Sequence, residues 1–158
     1  MSQDHVDHLI ELLARDYFAR LAAARTKYID NPKTAGNQAQ KEWIADIAAR
    51  GGTRIKTNPR TGVDTGRGGQ SQFDVLVNLA GLDVYLEVQA PGVDKGYKLV
   101  QAQGQLVGFA HVSAGAGVPA RYYKIVGQTR RIYCWSSRGR AHGALTTADY
   151  EPQQTLYF

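Results

Sequence analysis

A chain of 158 residues, 43% hydrophobic and 21% charged, is long enough to bury one core without staples and reads as a single globular domain. Its one cysteine, Cys134, excludes an intrachain disulfide and a cysteine-built zinc site, and no apolar run is long enough to span a bilayer. A net charge of +5 with a pI near 9.4 suits a polyanionic partner and, equally, plain solubility.

The opening MSQDHVDHLIELL lacks the basic start and cleavage site of a signal peptide, so a cytoplasmic location is expected. From Asp4 to Tyr28, Val6, Leu9, Ile10, Leu13, Tyr17 and Leu21 recur at helical steps of three and four. The stretch Ile29 to Asn37 breaks this helix with Pro32 and Gly36. A second helix is predicted over Gln38 to Arg50, ended by Gly51 and Gly52. TRIKTN is a short strand. The stretch Pro59 to Gln70 holds Arg60 and Arg67 among glycines and is either a basic loop that reaches phosphates or a solvated hairpin turn.

FDVLVNLAGLDVYLEVQ reads as a hairpin turning at Ala80 and Gly81. Side chains alternate along a strand, so Phe73, Val75, Val77 and Leu79 share one face and meet Val88, Leu86, Val84 and Leu82. The same register sets Asp74 opposite Glu87 on the other face. Opposed like charges destabilise a sheet, so a cation, a basic side chain or a retained proton must compensate. Mg²⁺ typically takes one or two carboxylates in this manner.

Beyond the hairpin, a weaker helix is predicted from Gly96 to Ala114, followed by strands in RYYKIVG and RRIYCWS. The tail from Arg138 to Phe158 shows no clear period. Four histidines show no zinc spacing, and neither a P-loop nor a dinucleotide fingerprint is present.

An acid in one strand, Asp74 in QFDVLV, and an acid-x-polar signature in the next, Glu87-Val88-Gln89, resemble the core of the PD-(D/E)xK nuclease superfamily. The order of elements is similar too, over roughly Gln38 to Val126. The resemblance implies an α+β fold (α/β/α layers) with a restriction endonuclease-like mixed central sheet flanked by helices. It divides the chain into an N-terminal helical extension (1–37), a nuclease-like core (38–135) and a C-terminal tail (136–158). It implies a metal-dependent DNA endonuclease in which Asp74, Glu87 and the carbonyl of Val88 ligate Mg²⁺ or Mn²⁺. Glu42 matches a helical acid ahead of the first core strand. Where the family usually carries lysine this chain has Gln89, which orients water but brings no charge; Lys98 on the following helix is the candidate replacement. Arg54, Lys56, Arg60 and Arg67 are candidates for a phosphate-contacting groove, with Gln101 and Gln105 of the following helix as contacts to the scissile strand. A homodimer through the first helix suits cutting of both strands; alternatively that helix covers the sheet. Two other readings stand beside this one: a nucleic-acid-binding protein that kept the fold and lost catalysis, and an unrelated α+β interaction module.

Overall fold

Helix α1 (Gln3–Lys27) turns its apolar stripe inward, with Val6, Ile10, Leu13, Ala14, Leu21 and Ala24 all buried. The computed structural model describes residues 3–64, 70–90, 99–116, 118–137 and 150–158. Helix α2 (Pro32–Ala49) begins six residues before the predicted start at Gln38. Pro32 occupies the opening turn, where its missing N–H costs nothing, and Asn31 caps the helix by accepting from Thr34 N at 3.2 Å. The residue read as a breaker therefore starts the helix. Gly51 (φ 94°) takes the left-handed turn that ends it.

Strands β1 (Thr53–Thr57), β4 (Val75–Leu79), β5 (Leu82–Gln89), β6 (Ala120–Val126), β7 (Arg131–Ser136) and β8 (Gln154–Tyr157) form a six-stranded sheet in the order β1-β4-β5-β6-β7-β8. Strands β2 (Arg60–Asp64) and β3 (Gln70–Gln72) form a separate antiparallel ribbon that packs against helix α3 (Leu99–Ala116). Within the glycine-rich stretch, Arg60–Asp64 is thus a strand; residues 65–69, with Arg67, lie outside the described residues. β5 and β6 pair in parallel while the other pairs of the large sheet are antiparallel. A parallel pair needs a crossover, and α3 lies within it. The tail without a period supplies β8, an edge strand paired with β7.

The mixed sheet has helices on both faces. On one, Val75, Val77, Val84, Leu86, Tyr123 and Ile125 pack with Ile10, Leu13, Trp43 and Ile47 of α1 and α2. On the other, Tyr85, Tyr122 and Trp135 pack with Leu106 and Phe109 of α3. The stripe of α1 is consumed within the chain, so a homodimer would have to use another surface.

The β4–β5 register is the one the apolar pattern requires, from Val75↔Leu86 to Leu79↔Leu82. Ala80 and Gly81 both take positive φ, 54° and 84°, the requirement of a tight hairpin whose twist matches its strands. The ladder stops short of the acids. Asp74 lies in a bend, and Phe73 leaves the face of Val75 to pack against Tyr85 and Tyr122 at ring separations of 5.0 and 4.9 Å. This corrects the expected placement of Phe73. Tyr85 and Tyr122 offer an aromatic pocket on the opposite face, and the bend lets the ring reach it.

Candidate functional site: a carboxylate pair beside a groove

The bend at Asp74 changes how the two acids meet. Asp74 Oδ2 accepts from the backbone N–H of Val88 at 2.8 Å, so its carboxylate crosses toward β5 beside Glu87. The main chain on either side is tied down: Asp74 N donates to Leu86 O at 3.0 Å, and Asp74 O accepts from Asn58 N at 2.8 Å. Sheet hydrogen bonding thus fixes the acid at a strand end.

Glu87 is in register with Lys124 of the parallel neighbour β6. Parallel partners in register point to the same side of the sheet. Lys124 is only 6% exposed, one of the buried charges among the described residues. From α3, the Gln105 side chain hydrogen-bonds Glu87 and accepts from the Tyr122 hydroxyl at 2.9 Å. Glu87 therefore has an ammonium and an amide on its flank.

These partners do not fully offset what surrounds it. Burial, then the neighbouring Asp74 charge, pushes the Glu87 carboxyl up to about 8, against the pull of Lys124 and Gln105. Asp74 is also raised by burial, opposed by the Val88 N–H. The Tyr17 hydroxyl of α1 is raised by burial first and by the Asp74 charge second, with Glu87 adding to it. All three groups hold their protons more tightly than in water, the behaviour of negative charge crowded into a poorly solvated corner.

A cavity of about 420 Å³ opens beside this corner. Asp74, Val88 and Gln89 form its strand side, and Tyr17 and Trp43 belong to its helical side. Arg25 of α1 and Lys33, Asn37 and Gln40 of α2 also line it. Trp43 is held rigidly, since its indole N–H donates to Leu13 O at 2.8 Å and its ring meets Tyr17 edge-on at 4.9 Å.

Of the residues expected at the site, Asp74, Glu87, Val88, Gln89 and Gln105 come together. Gln105 does so by hydrogen-bonding Glu87. Glu42 lies elsewhere on α2, accepting from Gln38 at 3.0 Å, and is not part of the groove wall. Arg54 and Lys56 are exposed on edge strand β1 and Arg60 is exposed on β2; none of them lines the groove. Lys98 and the side chain of Gln101 lie outside the described residues.

Sequence reasoning missed Lys124, Tyr17 and the groove-lining Arg25, Lys33, Asn37 and Gln40. Lys124 had a signal, a single lysine inside the otherwise apolar strand YYKIV. Lys33 and Asn37 had none, because the helix was started after them.

Two carboxylates at a strand end fit the hard, oxygen-preferring Mg²⁺. Among the described residues, no group of three or more His, Cys, Asp or Glu side chains comes together. Among the described residues, no helix is long and apolar enough to cross a membrane. No protein-family model, curated protein or solved structure matches the chain.

Proposed function

We propose that the protein binds nucleic acid at the Asp74–Glu87 end of the sheet and the groove beside it, on a nuclease-like scaffold, without hydrolysing it. The observation that carries this reading is the Glu87–Lys124 neighbourhood. A buried ammonium stands in register with the second acid, so part of the charge that would attract a metal ion is already met from within the chain. The amide of Gln89 at the end of β5, in place of an ammonium, points the same way. The net charge of +5, with Arg25 and Lys33 on the groove, supplies attraction for phosphates.

A second reading, a Mg²⁺- or Mn²⁺-dependent endonuclease acting on DNA, is favoured by one specific observation: the Val88 N–H holds Asp74 Oδ2 at 2.8 Å, so the Asp74 carboxylate lies beside Glu87 at one strand end. When bound there, a divalent cation would polarise a phosphate and activate water. On this reading Asp74, Glu87 and the strand end at Val88 hold the ion, Gln89 orients water, and Lys124 supplies fixed positive charge.

The two readings separate in one experiment. Plasmid, linear duplex and a branched junction are incubated with Mg²⁺, Mn²⁺ or EDTA, and binding is followed in parallel. Binding that persists in EDTA, with no cleavage in either metal, supports the first. Cleavage that requires metal and vanishes in Glu87→Ala supports the second and overturns the first.

A further inference from the structure

We infer that the groove beside Asp74 receives one unpaired nucleotide, base inward, with its phosphate toward Lys33. This deepens the nucleic-acid reading above and rests on it.

The size and lining of the cavity carry the inference. At about 420 Å³ it falls among pockets that enclose single small ligands. A base in a duplex is stacked on both faces and paired along its edge; only an unpaired base can offer its ring to such a groove. Leu21, Pro32, Val88 and Ala90 give apolar walls, matched to the flat faces of a base.

Three lining residues, Asn37, Gln40 and Gln89, are carboxamides or carry one at the same reach. Each presents a donor and an acceptor side by side, the pattern found along a base edge. Charge then sets the direction. Arg25 and Lys33 sit on the helical side, and Asp74 sits on the strand side. A phosphodiester is drawn to the first and repelled by the second, so the backbone runs past α2 while the base enters.

The test is fluorescence anisotropy in EDTA at low salt, using a labelled single-stranded oligonucleotide and the same sequence as a blunt duplex. The wild type is expected to bind the single strand at least tenfold more tightly. Asn37→Ala and Lys33→Ala alter exposed side chains, so the fold is retained. Each is expected to weaken single-strand binding several-fold and to weaken duplex binding by a smaller factor. Duplex binding equal to or tighter than single-strand binding overturns the inference while leaving the nucleic-acid reading intact. Unchanged single-strand affinity in both variants, with unaltered melting curves, overturns it as well. Binding of neither form removes the underlying reading and the inference together.

Discussion

Glu87 keeps its proton toward neutrality because burial and Asp74 outweigh Lys124 and Gln105. The consequence for stability has a definite sign. Between the ordinary carboxylate range and about 8, the folded chain binds more proton at this position than the unfolded chain. Stability contributed here is therefore present below the unfolded value and is lost as pH rises through about 8. Glu87→Gln, which keeps the shape and removes the charge, is expected to flatten the pH dependence of Tm between pH 5 and 8, by about 2 °C or more at the upper end. Thermal melts of both proteins across that window check this; parallel curves would contradict it. The acids themselves were legible in the sequence because the period of two fixes which side chains share a face. Their actual contact was not. It depends on a bend at Asp74 driven by where Phe73 finds aromatic partners, and those come from β5 and β6. Lys124 is a similar case: only the parallel pairing of β5 with β6 puts it beside Glu87.

Helix α1 is fastened to the sheet by a buried polar cluster as well as by its apolar stripe. Asp7 Oδ1 accepts from Arg121 Nη1 at 3.1 Å and from the Tyr123 hydroxyl at 2.5 Å, and Asp7 Oδ2 accepts from Gln154 Nε2 at 3.1 Å. One carboxylate thus ties α1 to β6 and to edge strand β8. Asp7→Ala leaves a guanidinium buried without its ion partner and is expected to cost about 3–5 kcal/mol. Arg20→Ala removes a more exposed pair to Asp46 and is expected to leave the melting temperature nearly unchanged. Denaturant titration of both variants checks the contrast. The turn after α2 offers another. A methyl at Gly52 would meet Ile47 Cγ2 at 2.7 Å and Val77 Cγ2 at 2.8 Å, so Gly52→Ala is expected to destabilise by about 1–3 kcal/mol. At Gly36, inside α2, nothing lies within 4 Å of an added methyl. Gly36→Ala is expected to stabilise by about 0.5–1 kcal/mol through helix propensity. Thermal or urea unfolding of this pair should move in opposite directions. Elements with a strong local period, α1 and the β4–β5 hairpin, were readable. The start of α2 was not, because Pro32 ends one helix or begins another with equal local logic, and the cap at Asn31 decides. β8 was not readable either: its pairing with β7 is a long-range contact with no period in a four-residue strand.

At the scale of the molecule, a layer of two helices and a layer of one helix enclose a mixed sheet, and the site sits where both layers reach the same strand ends. Tyr17 and Trp43 arrive from one side, while Gln105, held by the Tyr122 hydroxyl, meets Glu87 on the other. The helical and strand patterns made the order of elements legible, while the layering was only what the family resemblance implied. It did not place the groove, which needs α2 to begin at Pro32. Arg54, Lys56 and Arg60, the cations it singled out, lie on β1 and β2, while Arg25 and Lys33 face the cavity. The most direct measurement is binding of a labelled oligonucleotide to the purified protein in EDTA, repeated in Mg²⁺ with the nucleic acid recovered afterwards on a denaturing gel. The account predicts saturable, salt-sensitive binding without metal and intact strands after incubation with it. Strands cut in Mg²⁺ but not in EDTA, or no binding at low salt, would contradict it.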